Sequence, residues 1–324
     1  MGAEIQNITA NVSYVEFILI PFPGLQQFRS FLAVPFFCLF LLIVTTNSVL
    51  IYTVKTEESL HSPMCLLIAL LLTVNLFGTF AILPRMLLSL LLPASHISLT
   101  ECLVQMFFLY FTTVLDCNVL LMMALDRFLA ICHPLRYAKL MTTKLLGFLV
   151  LLSLLRSLGT VGPVVALASR VQFCRSNVIS HFACEHMALM RLSCSDISVN
   201  KRAGITIRCF DVLFDLSLLL ASYGRIVHTA LKIRSGNVRQ KVFHTCGTHW
   251  IVIVISYSSR LSSSVVFRLV KSSSQDIHNL ISATYLLFPW TVHPLIYGVR
   301  TKEIRGSLLK LFQKKKLDGL PKSG

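Results

Sequence analysis

Apolar positions in this chain do not alternate with polar ones; they run together. Seven stretches, residues 31–54, 63–90, 102–131, 145–168, 204–231, 242–269 and 277–299, are long and predominantly apolar. About 20 such residues cross the hydrocarbon core of a bilayer as a helix. Strands of an outer-membrane barrel would instead alternate with a two-residue period. The pattern predicts an all-α, seven-transmembrane helix bundle. The chain then divides into an N-terminal segment, 1–30, a bundle, 31–299, and a tail, 300–324. In the tail, Ile304, Leu308 and Leu311/Phe312 recur at helical spacing, with Lys302, Arg305 and Lys310 between them. That predicts a short amphipathic helix lying on a membrane surface.

Composition agrees with this reading. Of 324 residues, 55% are hydrophobic and 14% charged, with a mean hydropathy of +0.72; soluble domains carry about a quarter charged residues. Basic residues orient the bundle. Lys55 follows the first stretch; Arg136, Lys139 and Lys144 follow the third; Lys232, Arg234, Arg239 and Lys241 follow the fifth; Arg300, Lys302, Arg305 and Lys310 follow the seventh. These ends belong in the cytoplasm, and the N-terminus faces outward with glycosylation sequons at Asn7 and Asn11. The loop after the fourth stretch is also basic (Arg170, Arg175, Arg191, Lys201, Arg202), which weakens the contrast without reversing it. The net charge of +16 does not point to nucleic acid. Its charges are scattered over loops on both sides, where anionic membrane lipids are the partner expected.

Several polar groups stand out against this background. Asp126 and Arg127 sit side by side where the third stretch ends, and an ion pair kept at a membrane exit suggests a switch. On the fifth stretch, Arg208, Asp211 and Asp215 share a helical face and can partly neutralise one another. Arg260 lies deep in the sixth and needs an acidic partner or a water-filled cavity. Cys102, Cys174, Cys184 and Cys194 fall on the outer side and read as two disulfides, with three pairings open. His181, Cys184 and His186 could hold a metal only if Cys184 stays reduced; no metal, cofactor or catalytic residue is expected. Neither HExxH nor GxSxG occurs, and the two halves show no repeat of the transporter kind.

The run from Met122 to Tyr137 resembles the MALDRYLAICHPLRY signature of olfactory receptors, with Phe128 in place of tyrosine. Pro63-Met64-Cys65 resembles the family's PMY, and Leu83-Pro84-Arg85-Met86-Leu87 its LPKML. Ser222-Tyr223 resembles SY, Lys241 to His249 resembles KAxxTCxSH, and Pro294 to Arg300 resembles PxIYxxR. Pro21 to Leu25, the loop around Phe173 to Ser176 and Gly298 to Arg305 resemble the class I, or fish-like, branch.

The resemblance implies a plasma-membrane receptor for a small odorant, carboxylic acids included, coupled to a stimulatory G protein that raises cAMP. The alternative is a divergent, poorly signalling member or a non-olfactory chemosensory receptor. It implies disulfides Cys102–Cys184 and Cys174–Cys194, the first tying a loop over the bundle mouth as a lid. The switch residues are Asp126, Arg127, Tyr223 and Tyr297. The ligand is expected among Phe107, Tyr110, Phe111, Val114, Leu261, Ser264 and Val265, with Arg268 either anchoring an acidic head group beside Ser264 or snorkelling to the membrane interface. Three departures bear on signalling: Asn75 stands where the family has Asp, His293 where it has Asn, and Thr46-Asn47 where it has GN. Asn75 and Asp116 occupy the positions of a sodium site in related receptors, and one carboxylate in place of two weakens it.

Overall fold

The computed structural model describes residues 13–92, 95–269 and 274–318; the side chains of 262–269, 312 and 314–318 lie outside the description. The helices are α1 (Arg29–Thr56), α2 (Pro63–Leu91), α3 (Leu99–Cys132), the single turn α4 (Tyr137–Leu140), α5 (Thr143–Ala168), the short α6 (His186–Met190), α7 (Ser198–Leu231), α8 (Gly236–Leu269), α9 (Gln275–Arg300) and α10 (Lys302–Asp318). The seven long ones from α1 to α9 coincide with the seven apolar stretches. Their ends fall within six residues of those stretches, and polar residues cap several of them. The Ser62 hydroxyl accepts from the Cys65 N–H, with Pro63 opening α2. Ser98 and Glu101 form a reciprocal capping box at α3, and Thr142 accepts from the Leu145 N–H at α5. Each satisfies an amide that has no partner within the helix. Prolines 35, 84, 163, 289 and 294 lie inside helices, which a membrane bundle tolerates because neighbours satisfy the freed backbone.

Among the described residues, α1, α2, α3 and α5 are long and apolar enough to span a membrane by composition alone. Helices α7, α8 and α9 carry the polar residues of the bundle interior, among them Asp211, Asp215, Ser256, Asn279 and His293, all buried. Large apolar side chains such as Phe31, Phe77, Phe148 and Phe210 are exposed. Spread over several helices, they suit lipid rather than water.

Helix α3 runs through the centre, against α2, α5, α7 and α8. Below, Leu67, Leu71, Leu120, Met123, Ile253 and Tyr297 form an apolar core. Ile304 of α10 is fully buried in it, with Leu308 packed against it, so the predicted amphipathic helix turns its apolar face to the bundle's inner end. Above, Phe36, Ile82, Met86, Phe182, Leu287 and Trp290 form a second core.

The outer end holds something the apolar pattern does not predict. Strand β1 (Glu16–Leu19) lies between antiparallel β2 (His96–Ser98) and parallel β3 (Val178–Ile179). Phe17 and Leu19 from β1 are buried with Ile97, Phe173 and Ile179. The N-terminal segment is therefore part of the lid, at least from Ser13 on, where the Ser13 hydroxyl accepts from the Phe173 N–H. The sequons at Asn7 and Asn11 lie outside the described residues.

Candidate functional site

Cys102 at the top of α3 is bonded to Cys184 in the lid loop, and Cys174 to Cys194 within it. This is the pairing the resemblance implies. Cys184 therefore offers no thiolate, and the His181–Cys184–His186 group cannot act as a metal site. The imidazole of His181 instead engages the Ala183 backbone at 2.9 Å. Burial pushes the pKa of both His181 and His186 down, so both are neutral at rest.

Beneath the lid lies a cavity of about 220 Å³ between α3, α5, α7, α8 and α9. Its roof includes Phe182, Glu185 and His186, and its deep end includes Asp116, Ser256 and Trp290. The Tyr110 hydroxyl donates to Glu185 at 2.9 Å and accepts from the His186 N–H at 3.2 Å, which seats the lid on α3. Glu185 also caps α6 through the Ala188 N–H.

Of the residues expected at the ligand, Tyr110 and Val114 line this cavity. Phe107 stacks on Phe111 at 5.4 Å, and neither reaches the wall. The wall face of α3 runs through Leu109, Tyr110, Thr113, Val114, Asp116 and Cys117; at about 100° per residue Phe111 turns beyond its edge, whereas Phe107 shares the direction of Val114 but sits two turns nearer the outer end. Leu261 is exposed on the outside of the bundle. The side chains of Ser264, Val265 and Arg268 lie outside the described residues.

The charges of α7 pair differently from the expectation. Asp211 and Asp215 both bind Arg156 of α5, at 3.0 and 2.6 Å, and face Arg260 of α8 at 3.1 and 3.8 Å. Arg156 also donates to Asn118 of α3, and the Tyr257 hydroxyl donates to Asp215. Two arginines and two aspartates balance, and Asp211 and Arg260 form part of the cavity wall. Arg208 instead lies over the Tyr110 ring, at 5.9 Å. Sequence reasoning passed over Arg156; a lone arginine within an apolar span, where charge needs a partner, was the available signal. Glu185, on the cavity wall, was also passed over, and Lys201, read from the sequence only as a charge of the outer loop, lies on that wall too.

At the cytoplasmic end, Arg127 pairs with buried Asp126 at 2.8 Å, and Asp126 accepts from the Tyr137 hydroxyl at 2.7 Å. Burial, then this bond to the carboxylate, raises the Tyr137 pKa. Tyr223 contacts His249 at 2.5 Å across α7 and α8. The Tyr297 hydroxyl points at Met123 Sδ, 3.9 Å away.

Asn75 donates to Asn47 at 3.1 Å, and Asn47 donates to the carbonyls of Ile43 and Trp290, so α1, α2 and α9 are joined by amides. The Asp116 carboxylate faces His293 Nδ1 at 3.9 Å. Hard cations want a set of oxygen ligands. One carboxylate faced by an imidazole, with an amide at Asn75, does not fit a sodium ion.

A family model described as Olfactory receptor matches residues 36–315. Olfactory receptor 52K1 of Homo sapiens is 37% identical over 311 residues, covering 96% of this chain and 99% of that protein. Olfactory receptor OR51C1 of Homo sapiens is 36% identical over 309 residues, covering 95% and 98%. Among solved structures, squid rhodopsin superposes with a TM-score of 0.71 at 15% identity, over 89% of this chain and 86% of that one, which shows the fold.

Proposed function

Because the chain belongs to the olfactory receptor family, we propose that it binds a small odorant in the cavity beneath the lid and activates a stimulatory G protein that raises cAMP. It is a multi-pass receptor of the plasma membrane and not an enzyme. The observation that carries the proposal is the pairing of two features along one helix. Helix α3 lines a lidded cavity with Tyr110 and Val114 and, at its other end, holds Arg127 against Asp126. In the resting arrangement Asp126 restrains Arg127. An agonist that favours a second packing of α7 to α9 releases it toward the Tyr223 side and the G protein, as differential ligand contacts require.

The acid-anchoring role of Arg268 remains a second reading. Lys201 and Arg208 on the cavity wall favour it, since a cationic rim attracts a carboxylate. The test is co-expression with an olfactory-type stimulatory G protein, confirmed surface display, and cAMP measured against short and medium carboxylic acids, alcohols and aldehydes. A dose-dependent response that Arg127→Ala abolishes at equal display supports the proposal. An undiminished response in that variant overturns the switch. A displayed but silent receptor that responds once Asn75→Asp and His293→Asn are introduced marks a divergent, poorly signalling member.

A further inference from the structure

The cavity beneath the lid ends on an aromatic floor. Trp290 is the innermost residue that α9 contributes to its wall, after Ser282, Tyr285, Leu286 and Pro289. On α3 the wall runs from Leu109 inward to Cys117, about 12 Å of helix axis. Trp290 is 3% exposed and shares the outer apolar core with Ile82, Leu109 and Leu287. Its backbone carbonyl accepts from Asn47 at 3.1 Å, which ties this turn of α9 to α1. Behind the indole stands Gly78, buried in α2. A Cβ at that position would lie 2.5 Å from Cζ2 of Trp290, 2.6 Å from Cη2 and 3.2 Å from Thr112 Oγ1. Carbon atoms in contact rest about 3.5–4.0 Å apart. A glycine weakens a helix interior, and here the closeness of the indole requires one. Without a side chain at Gly78, the six-membered ring of Trp290 lies back against α2.

We infer that Trp290 sets the length of ligand the cavity accepts, and that Gly78 sets how deep this floor lies. An alkyl chain whose head group lies near the lid runs inward past Val114, Val161 and Leu286 and stops against the indole. Each further methylene buried on the way strengthens binding about fourfold. A methylene beyond the floor must displace an indole already backed by α2, and packed interiors resist such overfilling. Affinity along a homologous series therefore climbs and then breaks. The other groups at that depth, Asp116, Cys117 and Ser256, are smaller, so Trp290 is the one whose replacement opens substantial volume. A side chain at Gly78 pushes the indole off α2 toward the cavity, the open space it borders, and shortens the longest chain accepted. Gly78 acts through Trp290 and is a positioning residue, since it does not itself line the cavity.

The inference rests on the cavity being the ligand site, so it is tested by binding rather than signalling. Purified receptor in lipid nanodiscs is titrated with the straight-chain primary alcohols from butanol to dodecanol, with thermal stabilisation as the readout. Variants are compared in the same nanodiscs, so that partition of the probes into lipid cancels. In the unmodified chain, affinity should rise about fourfold per methylene up to a break. Trp290→Leu should move the break to a chain longer by about one methylene or more, because it leaves space where the indole stood. Gly78→Ala should move it to a shorter chain. Ile43→Ala loosens the same core without bordering the cavity and should leave the break in place. If Trp290→Leu does not fold, Trp290→Phe decides, with a smaller shift in the same direction. A break that stays in place in the folded Trp290 variant overturns the inference and leaves the ligand site standing. A break that moves as far in Ile43→Ala also overturns it, since general loosening would then set the length. A shift with Trp290→Leu but none with Gly78→Ala keeps the floor and removes the part given to Gly78. No stabilisation by any member of the series removes the cavity as ligand site, and the inference with it.

Discussion

At the scale of single residues, neutral buried imidazoles are the sharpest feature of the lid. His181 is 3% exposed, stacked on Phe182 at 4.4 Å and held by the Ala183 backbone. Burial depresses its pKa in the folded state, and that of His186 with it. The unfolded chain, with histidines near about 6.5, then binds more protons than the folded one at mildly acid pH. Stability contributed by these neutral rings is present above the unfolded pKa and is lost progressively as pH falls from there through the lower folded value. The receptor should therefore unfold at a lower temperature near about pH 5.5 than near about pH 7.5. Scanning fluorimetry of His181→Phe should show a shallower pH slope than the unmodified chain. An unchanged slope would mean that neither the ring's burial nor its proton matters to the lid. The histidines were legible in the sequence, but as metal-ligand candidates. Only the disulfide at Cys184 and the enclosure of the loop turned them into packing residues.

At the scale of elements, the contact between α7 and α8 depends on charge. Arg260 reaches across to Asp211 and Asp215, with Arg156 of α5 completing the balance. Removing one member leaves an uncompensated buried charge, which typically costs about 3–5 kcal/mol. Arg260→Leu should therefore lower the unfolding temperature of the purified receptor markedly. Arg260→Leu combined with Asp211→Leu should recover much of the loss, because Arg156 and Asp215 remain a balanced pair 2.6 Å apart, and an apolar pair often replaces a buried ion pair at little cost. A double variant no more stable than the single one would show that the quartet acts through specific hydrogen bonds rather than charge balance. The sequence announced these aspartates but not their partners. Helical spacing relates Arg208 to Asp211 along one helix, whereas the observed pairs cross 55 and 49 residues of chain. The rotation of α3 was equally hidden: its apolar residues surround it, and only packing decides that Tyr110 faces the cavity and Phe111 does not.

At the scale of the whole molecule, the lid is tied to the bundle by a bond that closes 82 residues, and to itself by one that closes 20. Loop-closure entropy favours the longer tie by about 1 kcal/mol. It also holds Cys184 within the outer core with Phe17, Met106 and Phe173. Removing Cys102 and Cys184 together should lower the unfolding temperature and surface display more than removing Cys174 and Cys194 together; display measured by flow cytometry in the reverse order would contradict this account. The sequence by itself determined the number, order and approximate ends of the spanning helices, because the length of an apolar run and the polarity of its caps are local properties. Its motifs also pointed to the family and to the disulfide pairing. Tertiary structure alone decided which α3 face lines the cavity, how β1 joins the lid, which arginines neutralise Asp211 and Asp215, and that Asp116 meets His293. Those outcomes depend on helix rotation and on contacts between residues far apart in the chain, and a run of apolar residues encodes neither.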